Sequence, residues 1–188
     1  MIQLNAKNIL IGAAVIALVC GVFFTDTPLT RSLVPTEKLS STPDYFITNI
    51  NAKEYDETGM LQETLTATQA LHYSQNSRTL LDNPTVRRHQ NAGLWHAKGK
   101  KGIIEDGSHD ILLTDDAVAV KQSVDSPDII LNADNIHYLD SNQSLTSSGH
   151  ATLHSTQGKT TAKTIVTYIN SEEVVMTGSV RGQYETTH

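Results

Sequence analysis

The amino-acid sequence predicts an all-β chain: an open, twisted β-jelly roll of long antiparallel strands, preceded by a single transmembrane helix. Three observations lead there. Residues Asn8–Thr25 form one uncharged run of 18 residues near the amino terminus. After Tyr45 the apolar residues recur with a period of two, and no stretch carries a convincing helical period. A strand–turn–strand unit also returns four times, opened by Ala67, Ala97, Ala133 and Ala162 at intervals of 30, 36 and 29 residues.

Composition narrows the function classes. The 188 residues suit one domain of ordinary size plus an appendage. A net charge of -6 and a pI near 5.7 leave no basic face for nucleic acid. The one cysteine, Cys20, excludes an intramolecular disulfide framework and a cysteine-rich zinc site. Aromatic residues are only 5% of the chain, and two of the three phenylalanines, Phe23 and Phe24, fall in the early apolar run. What remains is aliphatic and rich in Thr, poorly equipped to stack rings and better equipped to hold chains.

The amino-terminal elements divide as a cytoplasmic tail (1–7), a transmembrane anchor (8–25) and a Pro-containing tether (26–44). A span needs roughly 17–25 apolar residues, so the anchor is just long enough. A cleaved signal peptide is the competing reading, but it calls for a shorter apolar core and small residues where Phe23 and Phe24 stand. A lipid-modified Cys20 is a third, which the bulky Val19 suits poorly. Lys7 on the short side is a positive-inside signal for a cytoplasmic amino terminus. Pro28, Pro35 and Pro43 then lie among polar residues, giving an extended tether.

Residues 45–188 form the β domain. In the first unit, Leu65, Ala67, Leu71 and Tyr73 alternate with Thr and His, the pattern of a half-buried strand. Each unit passes from its alanine to a larger apolar residue, Tyr73, Ile104, Tyr138 or Tyr168. It then passes to an aliphatic seven positions on: Leu80, Ile111, Leu145 or Val175. Turn-rich tetrads separate the two, among them Ser74-Gln75-Asn76-Ser77 and Leu139-Asp140-Ser141-Asn142. A single hairpin cannot bury its apolar face alone, whereas stacked ones share a core. Trp95, Val118, Val120, Leu131, Leu153 and Val166 complete the expected inward set.

Catalytic chemistry is missing from the pattern. No His-x-His pair, nucleophile elbow or phosphate-cradling Gly loop occurs. Asp115-Asp116 and Glu172-Glu173 are adjacent, so on a strand they point to opposite faces and make no acid–base couple. No enzymatic activity, metal or cofactor is expected. A binding surface is expected instead, with three parts. The inward aliphatic set could line a slot for acyl chains, since burial of each methylene is worth about 0.8 kcal/mol without a directional partner. An unclosed sheet leaves an edge for partner strands, with Val174, Met176, Gly178 and Val180 on the carboxy-terminal one. Arg87, Arg88, Lys98, Lys100 and Lys101 gather five of the fourteen basic side chains in fifteen residues, a candidate rim for lipid phosphates.

The stretches Gly149–Ser155, Thr161–Tyr168 and Val175–Gly182, read together with the anchor and tether, resemble the LptC family. That family is the bitopic component of the lipopolysaccharide export machinery and carries an OstA-like β-jelly roll. The resemblance implies a single-pass inner-membrane protein with its carboxy-terminal domain in the periplasm. It also implies that lipopolysaccharide is taken from the inner membrane and passed to a bridge protein. The implied partners are the transporter subunits LptB, LptF and LptG and the periplasmic LptA, with a homodimer open to the same edges. The rival reading is a membrane-tethered β scaffold that binds proteins by edge pairing and carries no lipid.

Overall fold

The computed structural model describes residues 42–90, 93–123 and 127–184. The predicted anchor and most of the tether lie outside them. Among the described residues no helix is long and apolar enough to cross a membrane. The chain forms β1 (Tyr45–Tyr55), β2 (Leu61–Tyr73), β3 (Arg78–Asp82), β4 (Thr85–Gln90), β5 (Gly93–Lys98) and β6 (Lys101–Glu105). There follow β7 (Ile111–Gln122), β8 (Ile129–Leu139), β9 (Ser144–Ser155), β10 (Gly158–Tyr168), β11 (Val174–Thr177) and β12 (Arg181–Tyr184). All pairings are antiparallel and all belong to one sheet.

The order is simpler than the strand count suggests. β3 and β4 both lie along β2, β5 and β6 both along β7, and β11 and β12 both along β10. Each of these pairs is one long strand broken in the middle. The sheet is therefore a meander of long strands, and each long strand bends once.

The bends form a line across the sheet. Asn49, Asn83, Asp115, Asp116, Gly149, His150, Gly178 and Ser179 all take left-handed backbone angles, with φ from 47° to 74°. Asn, Asp and Gly tolerate that region best, which is why they stand there. Neighbouring bends touch: the Lys100 amide donates to the Asp115 carbonyl at 3.1 Å, and the Lys163 amide to the Gly178 carbonyl at 2.7 Å. At Gly149 even a Cβ would come within 2.4 Å of the Asp134 carboxylate, so glycine is required twice over. Register shifts at Thr114/Ala117, Asn132/Asn135 and Ala162/Thr164 mark the same line.

Folding along this line creates two leaves whose inner faces meet. The first leaf carries the turns at 74–77, 105–110, 139–143 and 169–173; the second carries those at 56–60 and 156–157. Two of the predicted tetrads close as short 3-10 turns, Ser74–Asn76 and Asp140–Asn142, each followed by a left-handed residue. The core lies between the leaves. Leu81, Leu113, Ile136 and Ile165 come from the first leaf; Trp95, Leu131, Leu153 and a series of alanines come from the second. Ala67, Ala117, Ala133, Ala151 and Ala162 each sit beside a bend, buried to 8% exposure or less. At the fold line the leaves converge, and only small side chains fit. That is the physical origin of the alanine that opens the sequence repeat.

The bends also correct the expected facing of half the inward set. In β2 the inner face runs Leu65, Ala67 and then Ala70, because the bend at Thr68-Gln69 changes the phase. Leu71 and Tyr73 consequently point outward, as does Leu80 beside the buried Leu81. In β7 two left-handed residues preserve the phase, so Ala117 and Ala119 face inward and Val118 and Val120 outward. In β10 the single-residue shift reverses it: Ile165 and Thr167 are buried, and Val166 and Tyr168 face out. Val175 is 39% exposed, while Val174 and Met176 pack against the core.

Candidate functional site

Eight of the sixteen residues expected to face inward do so: Leu65, Trp95, Ile104, Ile111, Leu131, Tyr138, Leu145 and Leu153. Several of them line a narrow apolar cavity between the leaves, with a water-accessible volume of only about 30 Å³. The first leaf contributes Ile111, Leu113, Ile136, Tyr138, Leu145 and Ile169; the second contributes Val86, Trp95, Ala97, Glu63 and Arg88. That volume has room for a water molecule or two, far below the roughly 300–1,000 Å³ of a preformed small-molecule site, so a larger ligand would need the leaves to part. The lining is apolar except where Glu63, Arg88 and the Tyr138 hydroxyl meet.

Those polar groups lie at the mouth, opposite the fold line. Arg88 comes from β4 in the second leaf, and Tyr138 and Asp140 from the end of β8 in the first. The Arg88 guanidinium donates to the Tyr138 hydroxyl and lies 5.0 Å from the centre of its ring. It also stands 3.4 Å from Glu63 and 3.6 Å from Asp140. The Tyr138 hydroxyl donates in turn to Asp140 at 2.7 Å. Burial, reinforced by that hydrogen bond, pushes the Tyr138 phenol up. The same bond holds the Asp140 carboxyl below the usual range, aided by Arg88. Glu63 is raised instead, because burial outweighs the attraction of Arg88.

A second tie crosses the same mouth. Lys121 follows Arg88 and Trp95 in one cross-strand row on the inner face of the second leaf. Its ammonium reaches Glu172 in the turn after β10, on the first leaf, and the Lys121 side chain is only 11% exposed. Deeper in, Trp95 Nε1, Ser147 Oγ and Thr167 Oγ1 are buried without a hydrogen-bond partner among the described residues. Each such group costs about 1–3 kcal/mol, and three is an ordinary number for a native core of this size.

The proposed basic rim divides. Arg88 is part of the mouth; Arg87, next to it on the strand, faces the other way. Lys100 and Lys101 sit at the fold line, far along their strands from the mouth, and pair with Asp116 at 2.5 Å and Asp82 at 2.7 Å. Lys98 lies beside them. These five residues therefore make no common surface. Sequence reasoning missed Lys121, Glu63 and Asp140, because only the folded leaf brings them to one opening. Among the described residues no group of three or more His, Cys, Asp or Glu could hold a metal ion.

Both ends of the meander are terminal strands, paired on one side only among the described residues. β1 pairs with β2 along its length, yet ten of its eleven residues are exposed, including Tyr45, Phe46, Ile47 and Tyr55. At the other end Gly178 forms a bend against Lys163, and Val180 and Tyr184 are 50% and 80% exposed.

Comparison with known proteins follows the same lines. No curated protein sequence matches. Among solved structures the fold is similar to LptH of Pseudomonas aeruginosa, described as the LptA-homologous periplasmic component of the conserved lipopolysaccharide transport device. The match has a TM-score of 0.56 at 9% identity, over 66% of this chain and 95% of that one. It shows a shared fold. The family model for lipopolysaccharide-assembly, LptC-related proteins matches residues 10–185. This chain therefore belongs to the LptC family and has a role in lipopolysaccharide transport.

Proposed function

We propose that the slot between the leaves holds the acyl chains of lipopolysaccharide while the lipid is handed from the inner membrane to a periplasmic bridge. One observation carries this reading: a narrow apolar cavity, closed down to about 30 Å³, lies between leaves that no strand among the described residues joins at either end of the meander, so that it can widen along its length. Acyl chains need no fixed partners, so they can slide along such a slot while staying out of water. The orphan indole N–H of Trp95 could donate to an ester or amide carbonyl near the head of a chain.

In this reading residues 8–25 anchor the chain in the inner membrane, residues 1–7 stay in the cytoplasm, and the β domain stands in the periplasm on its tether. The energy comes from the ATPase of the transporter, with LptB, LptF and LptG as partners on the β1 side. LptA docks by strand addition along β11 and β12, where Val174 and Met176 hold the strand to the core and Val180 stays free. A second copy of the chain could use the same edges. A scaffold that binds partners by its edges alone would leave the cavity without a role.

The test is to fill the slot. Ala97→Phe adds a ring to a half-buried residue in the cavity wall. Binding of lipopolysaccharide by the full-length chain should weaken by at least about tenfold, or about 1.4 kcal/mol, with the thermal transition retained. Unchanged affinity in a folded variant would favour the scaffold.

A further inference from the structure

We propose that the slot is latched shut by two cations held by carboxylates across its mouth, Arg88 and Lys121, and that phosphate groups on an entering acylated lipid open it by taking those cations. The inference rests on the slot reading above and adds to it a site, a ligand chemistry and a sequence of contacts.

The geometry supports it in three ways. Both ties join the leaves at the side away from the fold line, where no backbone pairing among the described residues connects them. Arg88 links β4 to the end of β8, and Lys121 links β7 to the turn beyond β10. A hinge lies opposite: every second long strand crosses from leaf to leaf through a left-handed bend, and small buried residues line the crossing. Separating the leaves therefore means parting side-chain contacts, not ladders. Both cations also stand at the rim of apolar surface, where the head of a bound lipid would lie once its chains were inside.

The chemistry of exchange follows from the groups present. A phosphate monoester carries up to two charges and three acceptor oxygens, and it matches a guanidinium in two parallel hydrogen bonds. It can thus replace both the Asp140 carboxylate and the Tyr138 hydroxyl at Arg88, and it outbids the single carboxylate of Glu172 at Lys121. Release of Tyr138 frees its ring from the mouth. The cations keep a partner throughout, so no unpaired charge is left at the slot.

The test places spin labels across the mouth of the full-length chain, at Glu57→Cys and Ser141→Cys with Cys20→Ser, in a non-ionic sugar detergent. Pulsed electron-resonance distances are read with lipid A carrying its phosphates and with enzymatically dephosphorylated lipid A. The expected result is a longer separation with the phosphorylated lipid alone, and an equally long one without ligand in the Arg88→Met, Lys121→Met double variant. Removing the phosphates should weaken binding by at least about tenfold in the parent chain and by less than about twofold in the double variant. If both lipids bind the parent chain equally and part the lips equally, the latch is wrong and the slot stands. If both bind and neither moves the labels, the latch is wrong as well. Failure of both lipids to bind overturns latch and slot together.

Discussion

The fold line and the mouth of the slot lie a few residues apart on every strand, yet they are made of opposite materials. At the fold line the chain uses alanine, glycine and left-handed Asn and Asp, and the leaves meet closely enough that Ala119 and Ala151 are fully buried. At the mouth it uses Arg88, Tyr138, Asp140, Lys121 and Glu172, long side chains that bridge a gap instead of filling it. Between these limits lie large aliphatics and the cavity. The contrast explains how one meander can be rigid along one side and still admit a ligand along the other. Stability belongs to the fold line; access belongs to the mouth.

Changes at the fold line should be the most damaging. Ile165 is fully buried next to the bend of β10, and Ile165→Ala should cost about 2–5 kcal/mol in denaturant unfolding. Ala151→Leu should follow, at about 1–3 kcal/mol, because the leaves cannot part there to make room. A tolerance of leucine at 151 would mean that the leaves are not in contact along the bends. The mouth should respond weakly and with the opposite sign. Glu63 has its carboxyl pKa raised by burial, so the fold favours its protonated form. Its stabilising effect is present at low pH and lost as pH rises through that raised pKa. Glu63→Gln mimics the protonated state and should slightly raise the thermal midpoint at pH 7. The gain should vanish once the pH falls below the ordinary carboxylate range, near pH 4. A loss of stability at pH 7 would show that Glu63 is mainly a partner of Arg88.

The architecture was legible in the sequence because its punctuation is local. Tetrads such as Ser74–Ser77 and Leu139–Asn142 contain the residues that turns require, and they close as turns. The facing of the strands was not legible in the same way. Alternation is a parity argument, and each bend can keep or reverse parity according to how many residues it inserts. Two left-handed residues at Asp115-Asp116 keep it; a single shift near Lys163 reverses it. Tyr168 thus counts as inward by alternation from Ala162 and lies outward in the fold. The column of Asn, Asp and Gly at 49, 83, 115, 149 and 178 was the available signal. The ties across the mouth left no such trace, since Arg88 and Asp140 are brought together only by the meeting of the leaves.

The central claim is that the lipid runs between the leaves and not over their outer faces. A photo-crosslinking residue at Val86, in the cavity wall, can be compared with one at Val118, which points outward from the neighbouring region of the same leaf. With the reconstituted transporter, ATP and lipopolysaccharide, the account expects ATP-dependent lipid adducts at Val86 and none above background at Val118. Adducts at Val118 equal to those at Val86, or none at Val86, would contradict it.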